Sequence, residues 1–319
     1  MAETHVPHPD LPPPASTVGA LGWLRRNLFS SPLNAALTVL ALYLLFTLIP
    51  PILRWAVLDA TWSGDNRAAC AANKGACWTF IRVHFDQFLY GFYPDAQRWR
   101  VKTVVLLLLL GAAPLLVRSV PQKVKMRLGL ALLVAFPVVA LILLKGGVLG
   151  LPAVDTSSWG GLLLTLVIAG VGMTAALPLG VLLALGRRSG LPAIETLCVT
   201  FIEFWRGVPL ITVLFMSSVM LPLFLPAGMN FDKLLRALIG VSLFQAAYMA
   251  EVVRGGLQAI PKGQLEAAAA LGLGYWKSML LIVLPQALKL VIPGIVNTFI
   301  ALFKDTSLVL IIGLFDLMN

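Results

Sequence analysis

Apolar runs long enough to cross a lipid bilayer recur along this chain, and they limit its possible folds more than any other feature. A bilayer core takes about 20 consecutive apolar residues per helix. Such segments are read at about 33–54, 103–117, 128–149, 160–186, 195–225, 234–253 and 278–303. An eighth apolar stretch begins near Leu308 and stops at Asn319. The runs are continuous rather than alternating, which argues against a β-barrel. Of the 319 residues, 59% are hydrophobic and only 12% charged, far less charge than a soluble domain carries. The fold class is all-α, a polytopic membrane helix bundle.

The formal net charge of +10 does not mark a nucleic-acid binder. The cations lie at the ends of apolar segments, as topology signals do, and form no single basic stripe. Arg25 and Arg26 precede the first segment. Arg118, Lys123, Lys125 and Arg127 separate the second from the third, and Arg187 and Arg188 the fourth from the fifth. Lys262 and Lys277 lie between the sixth and seventh. Alternate short loops thus agree on a cytoplasmic N-terminus. The long loop 55–100 opposes this with Arg67, Lys74, Arg82, Arg98 and Arg100, and the several short loops outweigh it.

That topology makes 1–32 a cytoplasmic leader and 55–100 a periplasmic loop. Residues 1–20 are polar and proline-rich, the composition of a disordered segment in which His5 and His8 are solvated. Residues 21–32 place Trp23, Leu24 and Phe29 beside Arg25 and Arg26, which suits an interfacial approach. The leader is too long for the n-region of a cleavable signal peptide, so the first helix is read as an anchor. Trp78 to Tyr93 is strongly aromatic and reads as a segment lying on the membrane surface. Cys70 and Cys77 are a candidate disulfide if their loop faces the periplasm. A metal site there lacks ligands beyond His84. Cys198, in an apolar helix, reads as a packing residue.

The first three helices carry almost no polar residues within the membrane; the later ones do. The chain therefore divides into accessory helices over 33–154 and a working part over 155–319. In the working part, the break between the sixth and seventh apolar segments contains QLEAAAALGLGYWKSMLLIVLP, Gln264 to Pro285. Pro261 and Gly263 interrupt the preceding helix, and four consecutive alanines follow Glu266. Gly272 and Gly274 end the short helix, and Pro285 falls near the start of the next segment. A short helix of small side chains lets another protein approach its backbone and suits docking in a groove. Glu266 lies near its N-terminus, where the helix dipole favours an anion. An Ala-rich turn alone would be unremarked; the spacing Glu266-Ala267-Ala268, Gly272, Ile282, Leu284-Pro285 in a loop between spanning helices is specific.

With these residues, the region from about 155 onward resembles the permease domain of binding-protein-dependent ABC importers, in the polar amino-acid group. Matching stretches are Trp159-Gly160-Gly161-Leu162 with Thr165, Ile202 to Leu210, Tyr248 to Gly256, and Lys304-Asp305-Thr306-Ser307-Leu308. The three helices before it and the cysteine-bearing loop are similar to the M-type subunit of general L-amino-acid permeases. The resemblance implies a type I importer fold with three extra N-terminal helices and an ATPase-coupling loop at 255–277. Glu266, Ala267, Ala268, Gly272, Leu284 and Pro285 would be its coupling residues. It also implies partners: a homologous Q-type permease, two ATPase subunits and a periplasmic amino-acid-binding protein, besides membrane lipid. ATP and Mg would be bound by the partner ATPase, with no cofactor and no catalytic group in this chain. Family members carry a further spanning helix and a basic tail after the Lys304–Leu308 segment, so the last helix is expected to be missing here.

Polar residues inside the later helices are candidates for the substrate pathway. Gln245, Tyr248 and Glu251 follow at i, i+3 steps and drift over about a third of the helix circumference. They could line a cavity and bind an ammonium group, or pack helices. Asn297, Ala301 and Lys304 share one face, and Thr298 shares one with Asp305. A substrate carboxylate could use Lys304 or helix N-termini. Glu203 and Arg206, three apart, read as a gate or a structural brace. Gly170-Val171-Gly172 has the spelling of a dinucleotide fingerprint but lies inside an apolar helix, where close packing is the better reading. Lys277-Ser278 lacks the glycine of a phosphate loop, Trp276 standing in its place. The rival function is an ion-coupled secondary amino-acid transporter using Glu251 or Asp305 as carrier; a membrane enzyme would need a catalytic pair that the sequence does not offer.

Overall fold

The computed structural model describes residues 19–64, 66–71, 74–224, 226 and 231–317; the proline-rich leader with His5 and His8 lies outside them. Among the described residues every regular element is helical. Six helices among them are long and apolar enough to cross a membrane, and a bent pair, Pro192–Gly207 with Leu210–Phe224, is so only when its halves are taken together. The chain divides after His84 into two compact units.

In the first unit, α1 (Gly19–Asn27) precedes α2 (Pro32–Leu53). Ser31 caps α2 by accepting the Asn34 N–H, and Pro32 occupies a first-turn position where its missing N–H costs nothing. Pro50 and Pro51 remove two helix donors, and a π-helical turn (Arg54–Leu58) follows. The loop beyond is tied back onto that turn. Trp78 Nε1 donates to the Ala56 carbonyl at 2.7 Å, and the Trp62 and Trp78 rings stack at 5.6 Å. Cys70 and Cys77 are joined in a disulfide beside α3 (Trp78–Val83).

The second unit opens with α4 (Phe85–Tyr90), then α5 (Arg98–Leu116) and α6 (Gln122–Lys145), which pair as a hairpin. The aromatic segment does not lie wholly on a surface. Phe85 and Phe92 are exposed, but Tyr93 is buried and donates to the Leu144 carbonyl at 2.8 Å. Burial pushes the Tyr93 phenol above its ordinary range, against the pull of the Arg100 guanidinium. Val101, Val104 and Leu144 share a core with Trp159, Leu163 and Leu164 of the later part.

The centre of this unit is the pairing of α7 (Gly161–Arg187) with α10 (Lys233–Ala259). A Cβ at Gly180 would lie 2.7 Å from the Met249 side chain and 3.0 Å from the Ala250 nitrogen, so only hydrogen fits there. Gly172, from the dinucleotide look-alike, sits in the same way against Val241 and Leu302.

Two expected helices are broken. The fifth, read as 195–225, is α8 (Pro192–Gly207) and α9 (Leu210–Phe215), the latter continued by further turns to Phe224, with a bend of 102° between the two. Pro209 lacks an N–H and holds Val208 extended (φ −102°, ψ 133°), which ends α8. The seventh, read as 278–303, begins as α12 (Tyr275–Ser278), a π-helical turn (Met279–Val283) and α13 (Leu284–Leu290). It breaks at Val291 before α14 (Ile292–Asp305), whose second residue is Pro293. The run able to cross a membrane is therefore Ile292–Ile312, and the stretch from Leu308 is part of it. After Ile312 the chain turns at Gly313 (φ 72°) and returns to the start of α7. There Gly161 N–H donates to the Phe315 carbonyl at 3.0 Å and Leu317 N–H to Thr165 Oγ1 at 3.3 Å. Gly161 itself has φ 59°, and a Cβ on it would overlap the Phe88 carbonyl.

Candidate functional site

The Glu-Ala-Ala run folds as a separate short helix. Ile260 and Pro261 are extended, which ends α10, and α11 (Lys262–Ala270) starts directly after them. Ala268 is its one buried residue, at 1% exposure, while Glu266 and Ala267 face outward. Gln286 Nε2 reaches the Gln264 side-chain oxygen at 3.1 Å and steadies the near end. At the far end Gly272 adopts φ 71°, the left-handed conformation that side chains resist. Its N–H donates to the Ala269 carbonyl at 2.9 Å, and Leu273 N–H to the Ala268 carbonyl at 3.0 Å. This pair of bonds is the Schellman cap. Gly274 is extended and starts α12, so only the first of the two glycines is conformationally required.

The second half of the motif points the other way. Val283 and Leu284 are buried with Met279 and Ala287 against Leu185 of α7 and Met249, Val253 and Leu257 of α10. Pro285 is exposed in the first turn of α13. The helix with the outward side chains (Glu266, Ala267) thus contacts α12 and the π-helical turn Met279–Val283, and that turn packs against α7 and α10.

Where α7, α8 and α10 meet, five charges cluster. Glu251 accepts from Arg187 at 2.5 Å and from Arg254 at 2.8 Å, with Arg206 at 3.9 Å. Glu203 lies 3.1 Å from Arg187 and 3.9 Å from Arg206. The Arg206 guanidinium also stands 5.7 Å from the centre of the Tyr248 ring. The structure therefore joins Glu203 and Arg206 to Glu251 in one network. Arg187 and Arg254 hold the Glu251 carboxylate closely, and Arg206 stands at the edge of the network. Sequence reasoning missed Arg187 and Arg254 as partners of Glu251. Arg187 had been read as a topology signal, and the i, i+3 spacing of Glu251 and Arg254 was the available clue.

The other candidates disperse. Gln245 is buried and donates to the Thr298 backbone carbonyl at 2.9 Å, which bonds α10 to α14. Thr298 Oγ1 is spent on the Gly294 carbonyl at 2.8 Å. Tyr248 is exposed and packs on Phe244 at 4.9 Å. Asn297 and Lys304 are exposed on α14, and Asp305 is half-buried.

Comparison with known proteins bears on this geometry. Residues 176–319, which hold α11 and the whole charged network, match the family described as binding-protein-dependent transport system inner membrane component. The chain is 57% identical over 319 residues to the inner membrane amino-acid ABC transporter permease protein YhdY of Escherichia coli (strain K12), covering 100% of this chain and 86% of that protein. It is 43% identical to the glutamate/glutamine/aspartate/asparagine transport system permease protein BztC of Rhodobacter capsulatus, covering 96% of this chain and 84% of the relative. Among solved structures, an amino acid ABC transporter with histidines is 33% identical over 49% of this chain and 72% of its own, at a TM-score of 0.44. The assignment rests on the sequence matches. This multi-pass membrane chain belongs to the family of binding-protein-dependent transport system inner membrane components, the permease subunits of ABC importers.

Proposed function

We propose that the chain is one of two transmembrane subunits of an ATP-driven importer of L-amino acids in a bacterial inner membrane, with its N-terminus cytoplasmic. It pairs with a homologous Q-type permease, two ATPase subunits and a periplasmic amino-acid-binding protein. ATP and Mg are held by the ATPase, not by this chain. The observation that carries the reading is α11: an exposed helix bearing Glu266 and Ala267, ended by a glycine cap, and packed on the π-helical turn Met279–Val283, which itself packs against α7 and α10. The amino-acid substrate is supported by the names of the relatives above, amino-acid permeases along nearly the whole chain.

In this reading, closure of the ATPase dimer pushes α11, and the packed ends of α7 and α10 carry the motion into the bundle. The charged network lies along that route, so breaking or remaking its longer contacts accompanies the change of state. The secondary-transport alternative gains no support from the relatives, and one of its two candidate carriers, Glu251, is already held by arginines. The test is ATP-dependent uptake of amino acids by the assembled complex in proteoliposomes, with Glu266→Lys as the probe. Loss of uptake with normal membrane assembly is expected. Uptake that persists without ATP, or is unaffected by Glu266→Lys, refutes the proposal.

A further inference from the structure

The turn between α5 and α6 and the start of α6 carry Arg118, Lys123, Lys125 and Arg127. No Asp or Glu occurs between Asp95 and Asp155. Among the described residues none of the four cations forms an ion pair. Their position does not help α6 either, because a helix N-terminus repels cations. A topology signal needs only charge near the membrane; these charges also have a register. Lys123 and Arg127 stand four apart on one face, and Leu130, Val134 and Val138 continue that face at helical spacing. The three apolar residues are 62%, 60% and 56% exposed. Leu141 extends the stripe, giving about 16 Å of apolar face from Leu130, against a leaflet of about 15 Å.

We infer that this face of α6 is a binding surface for an anionic phospholipid, its phosphate held by Arg118, Lys123 and Arg127 and its acyl chain lying along Leu130 to Leu141. The occupant follows from charge complementarity and length. A soluble anion would use the cations alone, and a neutral lipid the stripe alone; an anionic phospholipid uses both. The surface works in either leaflet orientation and does not depend on which solute is carried.

The test is native mass spectrometry of the assembled, delipidated complex titrated with phosphatidylglycerol and, separately, with phosphatidylcholine. Wild type is expected to retain phosphatidylglycerol preferentially. The triple variant Arg118→Gln, Lys123→Gln, Arg127→Gln should lose it by about fivefold per charge, on the order of a hundredfold together, with phosphatidylcholine unchanged. Should the triple variant fail to assemble, Lys123→Gln and Arg127→Gln singly are each expected to lose about fivefold, and Lys123→Arg to lose nothing. Equal retention of phosphatidylglycerol by wild type and the single variants overturns the inference, as does equal affinity of wild type for both lipids. Displacement of the lipid by excess inorganic phosphate alone would make this a free-anion site and also overturn it.

Discussion

Gly272 offers the sharpest test of how α11 works, because its backbone and its surroundings make separate demands. Its φ of 71° is left-handed, yet a Cβ placed there meets no atom within 4 Å. A substitution is therefore resisted by the backbone alone, not by a clash within the chain. For alanine the left-handed conformation costs about 1–2 kcal/mol, a five- to thirtyfold shift in the population of the closed cap. A β-branched residue costs more, and asparagine costs less, since its side chain tolerates this region. The cap cannot draw on much else. α11 has nine residues, one of them buried, and its last carbonyls are satisfied by the Gly272 and Leu273 N–H groups. ATP-dependent uptake and ATPase stimulation, measured on the reconstituted complex, should rank wild type, then Gly272→Asn, then Gly272→Ala, then Gly272→Val. If the role of Gly272 were instead to let a partner's surface approach, side-chain size would rule and Gly272→Ala would outperform Gly272→Asn. That reversed order, or indifference to all three changes, would refute the conformational argument.

Four further outcomes are expected. Glu251→Gln leaves Arg187, Arg206 and Arg254 without their shared carboxylate and should lower the detergent melting temperature of the complex; a double-mutant cycle with Arg187→Gln should give a coupling of about 1–3 kcal/mol, and a coupling near zero would dissolve the network. Gly180→Val should separate α7 from α10 at a cost of about 1–3 kcal/mol, read as loss of folded protein on size-exclusion chromatography; normal yield and melting would contradict the close approach at Met249. Cys70→Ser should remove about 2.5 kcal/mol from the 55–84 loop, an effect set by closure of a short loop, and expose it to limited proteolysis; alkylation of the unreduced wild type at both Cys70 and Cys77 would show that the bond is absent. Tyr93→Phe keeps the ring but leaves the Leu144 carbonyl without its donor, an expected loss of about 1 kcal/mol in thermal melts, with no change meaning that another donor replaces it.

The parts of this protein legible in its sequence are those fixed over a few neighbouring residues. Apolar runs declare helices because a backbone in lipid must satisfy its own hydrogen bonds. The α11 helix was legible because Pro261 and Gly272 bound it and alanines fill it. Two misread breaks were also local. Pro209 and Pro293 stood in plain view, but hydropathy continues across them while the hydrogen-bond ladder does not. What the tertiary structure alone decided lies between distant segments: Arg187 on Glu251, Gln245 on the Thr298 carbonyl, Tyr93 on the Leu144 carbonyl, and the 315–317 segment on the start of α7. The sequence set which charges the helices carry, and so limited which pairings are affordable in a low dielectric. It did not set which pairings form, because that depends on how closely α7 and α10 approach, and a glycine such as Gly180 permits a close approach without specifying its partner.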